Sequence, residues 1–289
     1  MPTLQIILGP TAVGKTAYAV AAAQKTGSPV VSCDSRQLFR EMRIGTARPS
    51  DAQLAAVPHY FIADRSVTEG CTAGRYEIEA LELLERLFRN HAFVVMAGGS
   101  GLYVDALCNG LDDFPEADPE LRAHLSQRLR TEGVAALRAD LRILDPESCA
   151  AIDPANGQRI VRALEVTIAT GRKYSSFRTR PAKPRPFTID KVGLMRPRAE
   201  LYARIDARVD RMMEEGLLDE VRRLVPFRDL PALNTVGYKE LFSYLDGACD
   251  LGEAVRLIKR NTRHYAKKQM TWWARDPAIR WIDVSSNPA

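Results

Sequence analysis

One short segment near the amino terminus restricts the fold of this 289-residue chain more than any other. Gly9 to Thr16 read GPTAVGKT, which fits the P-loop pattern of a glycine, four free positions and Gly-Lys-Thr. Residues 4–8 predict a short buried strand, and residues 17–25 predict a helix. Where such a strand meets such a helix, backbone N–H groups converge and favour an anion. The residues expected to hold a di- or triphosphate are Gly9, Pro10, Thr11, Ala12, Val13, Gly14, Lys15 and Thr16.

Two side chains of this loop suit a phosphorylated ligand. We expect the Lys15 amine to contact the phosphate charge and the Thr16 hydroxyl to coordinate a bound Mg²⁺ ion.

A carboxylate follows the second predicted strand. Residues 29–33 are apolar and lead into Asp34. One helix separates this strand from the first, so a parallel βαβ unit should bring Asp34 to the same sheet edge as the P-loop. There it can hold Mg²⁺ through water, accept a proton from a nucleophile, or cap the next turn.

The predicted central strand, residues 92–96, ends without an acid. P-loop ATPases place an Asp after such a strand to hold Mg²⁺, whereas this strand is followed by Gly98 and Gly99. Paired glycines allow a close approach to the backbone. Activation of water for phosphate hydrolysis is therefore not expected.

The middle of the chain predicts helices without strands, over residues 120–131, 133–142, 146–151 and 156–170. We expect an α/β fold, a P-loop NTPase-like parallel sheet core built from residues 1–110 and 187–289. An all-helical insertion domain would occupy residues 111–186. The basic, proline-rich residues 171–186 predict a mobile arm rather than packed structure.

The charge is concentrated in one half of the chain. Residues 155–275 hold 25 Lys and Arg against 14 Asp and Glu, whereas residues 1–154 hold 15 against 20. This favours a polyanionic partner, with a solvated basic face as the alternative.

Two helical segments concentrate the arginines and the aromatic residues. Arg204, Arg208 and Arg211 follow spacings of four and three, so they share a helix side that can clamp a phosphate. Residues 259–273 interleave basic and aromatic side chains, which predicts either stacking on nucleotides or a helix with its rings in the core.

Other features exclude several protein classes. No apolar run reaches the length of a membrane span, and the first strand begins too early for a signal peptide, so we expect a cytoplasmic protein. The five cysteines are scattered, which favours reduced thiols and disfavours a zinc site.

Several motifs occur together in a specific order. Beyond the P-loop, they are DSRQLF at 34–39, IGTARP at 44–49, GGSGLY at 98–103, DPELR at 118–122, QRIVRALEV at 158–166, RIDARVDRMMEEG at 204–216, VGYKE at 236–240 and TRHYAKKQMTWW at 262–273. Together they resemble the tRNA dimethylallyltransferases, bacterial enzymes that prenylate adenosine 37 beside the anticodon. The resemblance covers nearly the whole chain.

This resemblance implies an activity and a set of partners. A dimethylallyl group would pass from dimethylallyl diphosphate to the N6 amine of adenosine 37, flipped out of the tRNA anticodon stem-loop into a channel. It implies a monomer that uses Mg²⁺ near Thr16, with Lys15 and Arg208 on the diphosphate and Asp34 as general base. The implied tRNA-contacting residues are Asp34, Ser35, Arg36, Gln37, Ser100, Arg122, Gln158, Arg159, Ile160, Val161 and Arg162.

The chain departs from the family pattern at three positions. Ser100 stands where many members have Thr, Arg48 where Lys is usual, and Phe39 where Tyr is usual. None of these changes removes an implied catalytic group.

Three other functions are compatible with a P-loop in this chain. A small-molecule kinase would turn over ATP, and a cytokinin-type prenyltransferase would use AMP or ATP as the acceptor. A non-catalytic RNA-binding protein is the third. The basic half and the glycine-ended strand disfavour the kinase.

Overall fold

A computed structural model describes residues 1–112, 114–115, 118–179 and 183–285. It divides into two compact units. Unit 1 comprises Met1–Cys108 and Pro184–Ala289, and unit 2 comprises Asn109–Lys183. The sequence prediction had placed the two boundaries after residues 110 and 186.

Unit 1 contains a six-stranded sheet in which every paired neighbour is parallel. The strands are β1 (Thr3–Leu8), β2 (Val30–Ser32), β3 (His59–Tyr60), β4 (Phe93–Ala97), β5 (Thr188–Met195) and β6 (Ile279–Asp283). Their order across the sheet is β3-β2-β4-β1-β5-β6. The strand that leads into the P-loop is therefore central, as an apolar strand buried on both faces should be.

Helices connect these strands. Those of unit 1 are α1 (Lys15–Thr26), α2 (Asp51–Ala56), α3 (Ala73–Leu87), α4 (Gly101–Asn109), α8 (Arg198–Glu214), α9 (Leu217–Leu224), α10 (Tyr238–Leu245) and α11 (Leu251–Trp273). The last residue of α4 is the first of unit 2. Asp250 caps α11 by accepting the Glu253 N–H at 2.8 Å, and Gly27 ends α1 in a left-handed conformation.

The residues of the predicted site lie at the edge of the sheet where the strands have their carboxyl ends. β1 and β2 are not direct neighbours, because β4 pairs with both of them. All three strands run in the same direction, so the P-loop, Asp34 and Gly98 follow their strands at one edge. This is the edge at which ligands bind in open α/β sheets.

The sheet is held by a continuous apolar core. Ile7 of β1, Val95 of β4 and Val192 of β5 are completely buried in one cluster with residues of α1 and α8. Burial of such side chains stabilises a fold by about 1.5–3 kcal/mol each. The same cluster includes Ala12 and Val13 of the P-loop, so the packing of the sheet also holds the site edge in place.

Unit 2 is helical in its described residues, and consists of α5 (Pro119–Leu144), α6 (Pro146–Ala151), α7 (Gly157–Thr170) and a 3₁₀ helix (Tyr174–Phe177). Gly133, with φ 81°, interrupts α5 where the sequence predicted a break between two helices. Buried Asp145 joins α6 to the 3₁₀ helix: it accepts the Ser148 and Ser175 hydroxyls at 2.6 and 2.9 Å.

The prediction of a mobile arm over residues 171–186 is wrong for several of its residues. Tyr174 packs against the apolar core of unit 2 and stacks on Phe114 with ring centroids 4.8 Å apart. Buried Arg185 bonds the carbonyl oxygens of Leu107 and Ala106. The remainder of the prediction, at residues 180–182, lies outside the described residues, as does the predicted linker residue Asp113.

The two connections into unit 2 meet at their base. The Lys183 N–H donates to the Asn109 carbonyl oxygen at 2.9 Å. The chain therefore leaves and re-enters the sheet-bearing unit at neighbouring points.

The sequence does not predict α2, α9 or β6. All are short or carry charged residues between their apolar positions. Among the helices of the described residues, none is long and apolar enough to cross a membrane.

Candidate active site

The P-loop adopts a conformation that requires glycine and strains one alanine. Gly9 has φ 136°, and a Cβ there would lie 2.6 Å from the Leu194 carbonyl oxygen of β5. Ala12 has φ 66°, in the left-handed region that costs a non-glycine residue energy. Neighbouring elements hold the loop in this shape: Arg196 donates to the Val13 carbonyl at 2.9 Å, and Arg204 donates to the Ala12 carbonyl at 3.0 Å.

Lys15 folds back over the loop. Its Nζ donates to the carbonyl oxygens of Gly9 at 3.0 Å and Pro10 at 2.8 Å. Burial, reinforced by the nearby positive charge of Arg208, lowers the pKa of Lys15 to about 8. The amine is thus a cation near neutral pH that an incoming anion would stabilise.

Helix α8 borders the P-loop, which is the condition under which one of its arginines can clamp a phosphate. The Arg208 Nη1 donates to the Thr11 hydroxyl at 3.2 Å. Burial and the charges of Arg204 and Arg211 lower the pKa of Arg208 to about 10, so it stays protonated at neutral pH. The Arg204 guanidinium donates to the P-loop backbone, whereas Arg211 is exposed to solvent.

Asp34 caps the turn that follows β2. Its Oδ1 accepts the backbone N–H groups of Arg36 at 2.8 Å and Gln37 at 3.3 Å. Among the described residues, no hydrogen bond occupies its Oδ2. Capping is therefore realised, and one carboxylate oxygen is left for a second task.

The DSRQ segment is tied to two neighbouring loops. The Ser100 hydroxyl accepts the Ser35 N–H at 2.8 Å and lies 3.0 Å from the Ser35 hydroxyl. Gln37 Nε2 donates to the carbonyl oxygens of Thr46 and Ala47, both at 3.1 Å. The hydroxyl at position 100 therefore has a structural partner.

A cavity of about 690 Å³ joins these groups within unit 1. The cavity is lined by the P-loop, the ends of β2 and β4, the loop over residues 43–50, and the helices α1, α2, α8 and α11. The lining residues include Lys15, Thr16, Asp34, Gln37, Arg48, Gly98, Arg208, Arg211, Tyr265 and Gln269. One wall of the cavity is cationic and another carries a carboxylate.

The aromatic residues of α11 divide between the two predicted arrangements. Trp273 is 2% exposed and belongs to the core. Tyr265 is 41% exposed and lines the cavity. Burial and the charge of Asp34 raise the pKa of Tyr265, so its phenol is neutral at physiological pH.

Sequence reasoning missed a carboxylate that shapes the cavity wall. Glu220 of α9 is 3% exposed and accepts the backbone N–H groups of Arg43, Ile44 and Gly45 at 2.7–3.0 Å. The Tyr238 hydroxyl donates to it at 2.7 Å. The IGTARP and VGYKE motifs meet here, although nothing local in the sequence links them to Glu220.

The tRNA-contacting residues predicted in unit 2 have different environments. Arg122 and Arg162 each lie 3.2 Å from the buried Glu165 carboxylate. The Ile160 and Val161 side chains are buried in the core of the unit, so their role there is packing. Gln158 and Arg159 are exposed. Any side-chain contact of residues 158–162 with RNA is left to the polar members.

The parallel sheet, with the P-loop between its central strand and the first helix, defines a P-loop-type α/β protein. The model of the IPP transferase family matches residues 37–276. The chain belongs to the IPP transferase family.

Relatives and solved structures agree over nearly the full length. The chain is 52% identical to tRNA dimethylallyltransferase 2 of Porphyromonas gingivalis, covering 97% of this chain and 93% of that protein. It is 51% identical to tRNA dimethylallyltransferase 1 of Bacteroides thetaiotaomicron, covering 98% and 92%. The tRNA isopentenylpyrophosphate transferase of Bacillus halodurans is 36% identical with a TM-score of 0.72, covering 100% of this chain and 92% of that one.

A more distant structure shares the fold. A eukaryotic dimethylallyltransferase acting on tRNA is 24% identical with a TM-score of 0.81, covering 98% of this chain and 74% of that one.

Proposed function

We propose that this chain transfers a dimethylallyl group from dimethylallyl diphosphate to the N6 amine of adenosine 37 in tRNA. The observation that carries the proposal is one cavity lined by Lys15, Arg208 and Asp34. Two cations beside a carboxylate suit a reaction in which an anion leaves and a proton is taken up. The identity to relatives that are named for this reaction supports the same substrates.

The cations stabilise the leaving group. As the bond between the allylic carbon and oxygen breaks, its electron pair goes to the diphosphate, and negative charge grows there. Lys15 and Arg208 lie close enough to the P-loop amides to share that charge. The cost of holding two neighbouring cations, seen in their lowered pKa values, falls when the anion binds.

The loop also fits a Mg²⁺ ion. Thr16 lies in the first turn of α1 and lines the cavity, so its hydroxyl would be a ligand of the ion. Mg²⁺ usually keeps several waters and takes few protein ligands, so the absence of a carboxylate cluster among the described residues is compatible with it. When bound, the ion would neutralise diphosphate charge.

Asp34 takes the proton. The amine forms its new bond to the allylic carbon, and the surplus N6 proton passes to Asp34 Oδ2. The Oδ1 bonds to Arg36 and Gln37 fix the carboxylate's orientation. The remaining requirement of the reaction is the exclusion of water from the allylic carbon while it has cation character.

For the tRNA, we propose contacts by Ser35, Arg36, Gln37 and Ser100 in unit 1. In unit 2 the exposed Gln158 and Arg159 are the stronger candidates, with Arg122 and Arg162 beside Glu165. The exposed polar side chains suit phosphate and base-edge contacts. We further propose a cytoplasmic monomer.

The test is incubation of tRNA, dimethylallyl diphosphate and Mg²⁺ with the enzyme, followed by mass analysis of the anticodon-loop nucleosides. We expect N6-dimethylallyl adenosine at position 37. Modification of AMP instead would indicate a cytokinin-type enzyme, and ATP turnover without a prenyl donor would indicate a kinase.

The role of Asp34 has a sharper test in Asp34→Asn, because the amide keeps an oxygen for the Arg36 and Gln37 N–H groups. We expect the prenylation rate to fall by a factor of about 10²–10⁴, with tRNA binding within twofold. A rate close to that of the wild type would contradict the assignment.

A further inference from the structure

A buried glutamine of α11 connects both sides of the cavity. Gln269 is 6% exposed, although it lies in a strongly basic helix. Its Oε1 accepts the Thr11 N–H of the P-loop at 2.8 Å. Its Nε2 donates to the Gly99 carbonyl oxygen at 3.0 Å. Both polar ends of one side chain are thus used, each on a different loop.

The glycine after β4 makes room for this contact. A Cβ on Gly99 would lie 2.2 Å from Gln269 Nε2. Real Cβ atoms do not approach that closely, so a larger residue at position 99 would displace the amide. The glycine pair that follows the central strand therefore admits a protein side chain at Gly99.

The two loops joined by Gln269 lead to the two halves of the reaction. The Thr11 hydroxyl also accepts a hydrogen bond from Arg208, which is proposed to bind the leaving diphosphate. Gly99 precedes Ser100, whose hydroxyl holds Ser35 next to Asp34. Within the described residues, Gln269 makes no hydrogen bond to the side chains of Lys15, Arg208 or Asp34.

We propose that Gln269 is a positioning residue that sets the distance between the diphosphate cradle and the general base. This inference rests on the proposed function. Its physical basis is that the transfer is sensitive to sub-ångström placement of the reacting groups. A side chain that spans both loops holds their spacing at little entropic cost, because it is already buried and bonded at both ends.

The contacts of Gln269 predict that the more conservative of two substitutions is the more harmful to activity. Gln269→Met removes both bonds at similar volume. Gln269→Glu retains an acceptor for Thr11 but loses the donor to Gly99, and places a carboxylate near Lys15, whose Nζ lies 3.8 Å from the position of a Gly99 Cβ. That carboxylate competes with the diphosphate for the amine. The variant that resembles glutamine in shape should therefore be the worse enzyme.

The experiment measures kcat, the KM for dimethylallyl diphosphate and the dissociation constant of tRNA for both variants, corrected for the folded fraction. We expect Gln269→Met to raise the donor KM by about tenfold and to lower kcat by about tenfold. A tenfold change in either constant corresponds to the loss of about one hydrogen bond. Gln269→Glu should raise the donor KM further. The tRNA dissociation constant should stay within twofold, and Gln24→Glu, at an exposed position of α1, should leave all three unchanged.

A second variant pair tests the contact if either Gln269 variant folds poorly. Gly99→Ala should reproduce the loss of Gln269→Met, since it expels the amide. Combined with Gln269→Ala, which vacates the space, Gly99→Ala should add less than about twofold, because the coupling between contacting residues is not additive.

Three results would overturn the inference: wild-type kcat and donor KM in the variants, a milder effect for Gln269→Glu than for Gln269→Met, or fully multiplicative effects in the double variant. A failure of the proposed function is distinguishable from these results. It would appear as a wild-type enzyme that does not prenylate tRNA, before any variant is compared.

Discussion

At the scale of residues, the site depends on cations that are poorly solvated before the substrate arrives. Lys15 is the sharpest case, because burial brings its pKa to about 8, within reach of ordinary assay conditions. A diphosphate stabilises the protonated amine, so binding takes up a proton once the pH exceeds this value. Donor affinity is therefore full below about pH 8 and declines above it.

This predicts a donor KM that rises between pH 8 and pH 9.5, by up to about tenfold per pH unit. The measurement is steady-state kinetics at saturating tRNA across this range. Lys15→Met should show a high KM with a flat profile, and Lys25→Met, on the same helix, should behave like the wild type. A flat wild-type profile would exclude Lys15 as the titrating group.

The functional residues that were predictable from the sequence differ from the others in how far along the chain their contacts lie. The P-loop and Asp34 were predictable because a strand, a turn and a helix define their positions within a few residues. Gln269 and Glu220 act on backbone groups more than 170 positions away. No local pattern distinguishes them from the other polar residues of an exposed helix.

At the scale of elements, α9 holds the loop over residues 43–49 through a single carboxylate. Glu220 accepts three backbone N–H groups and one phenol, two on each oxygen, which occupies all four acceptor positions of a carboxylate. Gly45 packs under the Tyr238 ring, where a Cβ would come within 2.6 Å. This loop places Arg48 in the lining of the cavity, and it also supplies the Thr46 carbonyl oxygen that accepts the Gln37 amide.

We expect Glu220→Gln to lower the free energy of unfolding by about 2–4 kcal/mol, because the amide nitrogen faces donors and leaves them buried and unsatisfied. Urea unfolding followed by circular dichroism measures the change. Glu214→Gln, at an exposed position of α8, is the matched control and should shift stability by less than about 0.5 kcal/mol. Equal effects from the two variants would contradict the proposed anchoring.

The elements missing from the prediction share a physical cause. α9 alternates apolar and charged residues over only eight positions, and β6 contains Arg280 and Asp283. Each is stabilised by its neighbours, β6 by its pairing with β5. Longer elements with a regular apolar face, such as α7, were predicted to within a few residues.

At the scale of the whole molecule, charge separates along the chain. The excess of Lys and Arg over residues 155–275 falls on both units, since unit 2 contains residues 155–183. A tRNA that contacts this segment releases counterions, and its affinity should fall steeply as salt increases.

We expect the logarithm of the tRNA association constant to fall linearly with the logarithm of salt concentration. Arg159→Ala should reduce the slope by about 0.7–0.9, whereas Arg142→Ala, an exposed residue of α5 without a proposed contact, should leave it unchanged. Filter binding between 50 and 200 mM salt, the range over which such slopes develop, is the measurement. A salt-independent affinity would argue against docking through the basic segment.

The backbone bond between Lys183 and Asn109 has a consequence for the history and the engineering of the chain. Chain ends this close can be joined by a short turn, so the segment between them is exchangeable in the manner of a cassette. The described residues of that segment contribute no strand to the sheet, and Arg185 also bonds the re-entering chain to the end of α4. A receptor for a different nucleic acid could be grafted there while the chemistry stays in place.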